Sequence, residues 1–314
     1  MEWDAIILGG GAAGLSAGIV LARTGVKTVL VDDRTPRNAV AAHMHGFLSR
    51  DGMDPAELLQ SGRREMIGFG GRILAASAVR AEERAEGGFQ VTLDEGSELR
   101  APALLVATGL SDGLPQLPGV RELWGDSVHH CPHCHGREVA GRRIVVIGGD
   151  NAMMSVHQAA LLRRYSDDVV FCTNGIVLEA GARARLEAVG VVIDPVPVTA
   201  VARDPRTGGI VLSQGKGRAL ACDAVFVAPV MEPRAGMVEG LDLVRAAGGW
   251  IETGPTGRTS VDGVWAAGNV SNPRAQVITA AGEGSAAAID MTGFLLERDL
   301  GRALTGDRNG WYSR

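Results

Sequence analysis

The stretch His129-His130-Cys131-Pro132-His133-Cys134-His135-Gly136 sets two cysteines among four of the chain's seven histidines. Three chemistries use such a cluster. Zinc takes Cys and His ligands, but a second ligand pair at ordinary spacing is missing. His133, inside the CxxC span, need not face the same way as the thiols. A structural staple belongs to oxidising compartments. Redox chemistry remains: CxxC spacing permits a reversible disulfide whose thiolate is the reacting species. A neighbouring imidazole exchanges protons near neutral pH, because its unperturbed pKa is about 6.5. Redox work without a metal is the expectation. His135, directly after the second cysteine, and His130, directly before the first, are the candidate proton carriers, whereas His129 and His133 read as packing or solvated residues.

Such a pair needs a scaffold and an electron acceptor, and glycines punctuate the chain where these would be built. "DAIILGGGAAGLSAGIVLARTGVKTVLVDD" runs from an apolar strand through Gly9, Gly11 and Gly14 into an alanine-rich helix, then a second strand ending at Asp32. Glycines at these positions tighten the turn, let the backbone approach a pyrophosphate and pack the helix on the sheet. The acid about 20 residues on suits a ribose hydroxyl. Strand, glycines, helix and acid together predict a bound dinucleotide.

"RRIVVIGGDNAMMSVHQAALLRRYSDDVVFCTNG", residues 142–175, repeats the pattern with faults. Counting from Gly148, Asp150 stands where a bare backbone should meet phosphate. One unit-charge pair near 4 Å costs about 1 kcal/mol in water and about 4 at an effective dielectric of 20. The following strand ends in Cys172-Thr173-Asn174-Gly175, with neither an acid for an NAD ribose nor an arginine for a 2′-phosphate. A second Rossmann-like domain that does not bind a nicotinamide nucleotide is the expectation. In "GVWAAGNVSNPRAQVITAAGEGSAAAIDM", residues 263–291, a short strand ends at Ala267-Gly268-Asn269 and a small-residue helix starts near Gln276. Physics alone reads this as a helix close-packed on a backbone. Its N-terminus would also stabilise an anionic ring placed there.

The 314 residues suffice for two domains with real cores, and 46% apolar content suits a globular chain. A net charge of −5 with no basic block argues against nucleic acid. The chain opens into a strand pattern without a basic leader, and no apolar run nears the roughly 18–20 residues of a membrane helix. A cytoplasmic protein without membrane or nucleic-acid partners is expected. Cys172 and Cys222, in apolar strand-like runs, read as core residues.

The Gly9-Gly11-Gly14 motif, "LLVATG" at 104–109, "LPQLPGV" at 114–120, the CxxC before the second Rossmann strand and "GVWAAGN" at 263–269 occur in one order. That set resembles the low-molecular-weight thioredoxin reductase family, from about Asp4 to Met291. The resemblance implies an α/β fold of two Rossmann-like, three-layer domains. One is a discontinuous FAD domain, 1–115 and 248–314; the other is a pyridine-nucleotide-type domain, 116–247, carrying the CxxC. It also implies a homodimer. FAD contacts would fall at Gly9, Gly11, Ala12, Ala13, Gly14, Asp32, Asp33, Arg37, Asn38 and His45, then Ala107, Thr108 and Gly109, then Gly268, Asn269, Gln276 and Val277. His43 and His45 could equally line a substrate pocket or be ordinary loop residues.

The departures point to one branch. "GGDNAM" replaces the family's GGGDSA, "FCTNG" its basic motif, Asn269 the Asp of its flavin motif, and His135 the Asp after its second redox cysteine. CxxCHG beside a nicotinamide-incompetent domain resembles the dithiol oxidases that close disulfides in natural products such as gliotoxin, holomycin and romidepsin, the holomycin type nearest. On that resemblance Cys134 faces FAD and Cys131 faces a small-molecule dithiol. Electrons would pass through both cysteines and FAD to O2, giving hydrogen peroxide. A disulfide reductase fed by NADPH or another donor is the alternative enzyme; a flavoprotein that only sequesters a thiol compound lies outside enzymology.

Overall fold

The computed structural model describes residues 2–305; the part of the expected second FAD segment from 306 to 314 lies outside the described residues. The chain divides into two compact units, Met1–Ala39 with His43–Ser111 and Glu232–Arg314, and Val40–Ala42 with Asp112–Met231.

The first unit is built on a five-stranded parallel sheet in the order Val264–Ala266, Ala103–Val106, Ala5–Leu8, Thr28–Asp32, Arg72–Ala75. Ala5–Leu8 and Ala103–Val106 are apolar throughout and buried at every position, as strands covered on both faces must be. Alternation sends their side chains to two cores. Ile6, Leu8, Leu104 and Val106 join Phe89, Val91 and Leu99 of an antiparallel three-stranded sheet (Ala78–Glu83, Phe89–Leu93, Glu98–Ala101). Ile7 and Leu105 join Leu15 and Leu21 of the helix Ala12–Arg23 and Met291 of the helix Val277–Leu304. A Cβ on Gly284 would lie 2.0 Å from Ala13 O, so only glycine lets these two helices approach so closely.

The second unit repeats the plan. Its parallel sheet runs Val192–Asp194, Val169–Cys172, Ile144–Ile147, Ala224–Val227, Val128–His129, with an antiparallel sheet of Val198–Arg203, Ile210–Gln214 and Arg218–Cys222. Helices Ala152–Leu162 and Ala180–Ala188 complete it. Cys172 and Cys222 are core residues, and burial pushes both thiols up to about 12.

The compact units divide at somewhat different positions from the expected domains. The chain leaves the first unit at Ser111, not 115, and returns at Glu232, not 248. Residues 232–247 carry Ala235, Val238, Leu241 and Leu243, all buried in the core behind the first unit's parallel sheet.

Candidate active site

The first glycine loop separates glycines the fold needs from one it does not. A Cβ on Gly9, at φ +104°, would lie 2.4 Å from Ala107 O, and one on Gly14 would lie 1.9 Å from Gly9 O. A Cβ on Gly11 would meet nothing within 4 Å among the described residues. Gly11 is the N-cap of Ala12–Arg23, whose first turn, starting at Ala12 and Ala13, receives no side-chain cap and contains no acid. Bare N–H groups beside an open backbone form an anion cradle. The chemistry of the loop fits the pyrophosphate of FAD. Gly11→Ala should therefore fold with an unchanged melting temperature yet bind FAD more weakly. An overpacked contact costs about 1–3 kcal/mol, roughly 5- to 150-fold in affinity. Flavin content after dialysis against known free FAD checks this.

Asp32 lies beneath the loop, accepting hydrogen bonds from Arg63 Nη2 at 2.9 Å and the Arg34 amide at 3.0 Å. Asp33 is the exposed acid of the pair. Burial works to raise its pKa, but hydrogen bonds from Thr35 and the Arg234 guanidinium prevail and hold it below the usual range. Arg37 and Asn38 lie in a half-buried 3₁₀ turn, Arg37–Val40. His45 Nδ1 sits 3.4 Å from Asp51 Oδ2, while His43 Nδ1 meets Gly52 O at 3.1 Å. Ala107 is buried after its strand, with Thr108 and Gly109 half-buried next to it; Gly109 has φ +72°.

Gly268, at φ +76°, donates its N–H to Glu283 Oε2 at 2.8 Å. Asn269 donates both amide hydrogens, to Asn272 O at 2.9 Å and Ala275 O at 3.1 Å. An aspartate there would set a carboxylate against two carbonyls, which accounts locally for the departure from the family's Asp. Its Oδ1 is left to accept from a hydroxyl. Gln276 is the N-cap of Val277–Leu304, where no side-chain cap is made and no acid stands in the first turn.

In the second unit the edge strand Val128–His129 leads directly into the redox pair. Cys131 is the N-cap of the short helix Pro132–His135, and its carbonyl accepts from the amides of Cys134 and His135, both at 3.1 Å. That turn brings the cysteines to a Cα–Cα distance of 5.2 Å, and they form a disulfide. Cys131 is 8% exposed and Cys134 half-buried. His130 stacks on Trp124 with centroids 5.9 Å apart, and its carbonyl accepts from Gln158 Nε2 at 2.6 Å. His133 is exposed.

His129, read from the sequence as a packing or solvated residue, packs, and against a partner the sequence did not name. It is buried, and its ring stacks on His135 with centroids 4.2 Å and planes 18° apart. Phe226 packs at 5.5 Å from the neighbouring strand. Burial first, then the charges His135 and His130 can carry, push His129 down to about 3 against the pull of Asp126. No periodicity links positions 129 and 135, so the signal lay in the fold.

The second glycine loop uses its own donors. Asn151 Oδ1 accepts the Met154 amide at 3.0 Å, and the Gly149 amide donates to Ser155 Oγ at 3.2 Å. Asn174 Nδ2 donates to Gly148 O at 3.2 Å, while its Oδ1 accepts from the Val198 amide. Asp150 stands exposed beside them. Two amides that a pyrophosphate could take, those of Gly149 and Met154, are thus engaged within the unit.

Two parallel-sheet units of Rossmann type, one with an open dinucleotide cradle and the other with a redox disulfide, define an oxidoreductase of the flavin–disulfide class. The chain belongs to the pyridine nucleotide-disulphide oxidoreductase family, whose model matches residues 3–284; the family binds FAD. The crystal structure of HlmI superposes with a TM-score of 0.93 at 41% identity, covering 97% of this chain and 96% of that one. Thioredoxin reductase of Mycolicibacterium smegmatis is 31% identical over 94% of this chain and 97% of its own. Thioredoxin reductase sirT of Leptosphaeria maculans is 29% identical over 91% and 92%. No helix among the described residues is long and apolar enough to cross a membrane.

Proposed function

We propose that this chain is an FAD-dependent dithiol oxidase that closes an intramolecular disulfide in a small-molecule natural product, of the holomycin type or a near relative. The observation that carries the reading is the second glycine loop: Asn151 and Ser155 engage two of its amides and Asp150 adds a negative charge, while the Cys131–Cys134 disulfide beside His135 is intact. A reductase fed by NADPH must bind it at that loop; an oxidase need not. The reading includes the homodimer that the resemblance implies and the cytoplasmic setting expected from the sequence.

One substrate thiolate attacks Cys131 Sγ. A substrate–Cys131 disulfide forms, the Cys131–Cys134 bond breaks, and Cys134 leaves as a thiolate. The second substrate thiolate attacks the bound substrate sulfur, closing the product disulfide and releasing Cys131. His135 takes the proton of an incoming thiol and passes it on. FAD, held at Gly9, Gly11 and Gly14, would supply the two-electron acceptor for re-forming the Cys131–Cys134 disulfide, with O2 as the final oxidant. The balance is one dithiol and one O2 to one cyclic disulfide and one hydrogen peroxide.

The test is anaerobic stopped-flow with the FAD-loaded protein. Dithiothreitol should bleach the flavin, NADPH should not, and readmitted O2 should restore the colour with stoichiometric peroxide. Stoichiometric bleaching by NADPH within seconds would instead make the protein a disulfide reductase.

A further inference from the structure

Face-to-face stacking constrains what His129 can do for His135. Ring N–H groups lie in the ring plane, so two imidazoles 4.2 Å apart at an 18° tilt present faces, not nitrogens, to each other. A proton cannot pass between them by a hydrogen bond. What the stack transmits is orientation: one face of His135 is covered, which limits how its ring can turn. His129 is itself held firmly, 7% exposed, in register with Phe226 on the adjacent strand and against that ring. The charged or titratable groups facing it are His135, His130 and Asp126, and Arg203 pairs with Asp126. Two imidazolium rings face to face would repel, and burial together with that repulsion favours a neutral His129. His129 Nδ1 has no hydrogen-bond partner among the described residues, a cost that an apolar ring of similar shape would not carry.

We propose that His129 is a positioning residue for His135: its stacked ring holds the His135 imidazole in the orientation that exchanges protons with the redox pair. This rests on His135 serving the cysteines, as the proposed function has it, but not on O2 being the final acceptor.

The test reads the cysteines directly. The FAD-loaded protein is reduced with dithiothreitol, desalted anaerobically and alkylated with iodoacetamide across pH 5.5–9 (a working range of about three units around neutrality). In the wild type the rate should show an inflection that His135→Ala abolishes. His129→Ala should flatten that inflection and lower the rate near neutral pH by about 10-fold, within the roughly 10²-fold that a 1 Å misplacement can cost. His129→Phe, which keeps the ring and removes the unpaired nitrogen, should follow the wild-type profile and melt at a higher temperature. Should the alanine variant not fold, His129→Leu takes its place. A profile for His129→Ala or His129→Leu that overlays the wild type overturns the assignment, as does a His129→Phe profile that follows the ringless variant. If these profiles behave as expected while dithiols consume no O2, the oxidase reading falls and the positioning role stands.

Discussion

Cys134→Ser is expected to remain yellow in the presence of any dithiol. The proposed chemistry routes both electrons through this sulfur, and a serine oxygen neither forms a reducible disulfide nor carries a thiolate's electrons onward. Loss of a covalent catalytic group acts on the scale of 10⁴–10⁶-fold, roughly that of a nucleophile's removal from a hydrolase. Dithiol-dependent O2 uptake should fall by about that much while FAD content is unchanged. Cys131→Ser should be equally inactive in turnover but different in colour. Its Cys134 thiolate, left beside the flavin, should give a long-wavelength absorption band that fades as pH falls and the sulfur protonates. Appearance of that band in Cys134→Ser instead would exchange the two roles. The experiment is decisive because exposure favours the other order: Cys131 is the more buried sulfur.

His135→Ala should slow dithiol oxidation at pH 7 by about 10²–10⁴-fold, the usual span for a general base. Free thiols have pKa values near 8.5, so only a few per cent are thiolate at pH 7, and an imidazole holds the departing proton better than a carboxylate. The sign follows from that source. As pH rises toward the thiol pKa the substrate ionises unaided, and the deficit should shrink. Oxygen-electrode rates between pH 6.5 and 9 (about the span from the imidazole to the thiol pKa) measure it. A deficit constant with pH would remove His135 as the base and shift the role to His130, which stacks on Trp124 immediately before Cys131. His129 does not inherit that role, since burial first and its imidazole neighbours next keep it neutral down to about pH 3.

What was legible in the sequence follows local rules. Ala5–Leu8 and Ile144–Ile147 are uniformly apolar runs ahead of glycines, and such runs are buried parallel strands in both units. Gly14 answers to the Gly9 carbonyl a few residues away, Gly9 follows from the local motif although the backbone it meets is Ala107, and the CxxC pair closes within a single turn. Only the tertiary structure decided the rest. The return to the first unit at Glu232 depends on Ala235 and Val238 finding a core whose strands lie well over a hundred residues earlier. Asp150 marked the second loop as abnormal, but that Asn151 and Ser155 take two of its amides is a matter of side-chain direction, which no motif encodes. Asn269 looked like a lost charge until its two carbonyl partners were in place. His129 is the clearest case. It ends a strand while His135 closes a helical turn, so no single element's period relates them, and the two rings meet because Phe226 and the strand register hold one of them still while the CxxC turn brings the other onto its face.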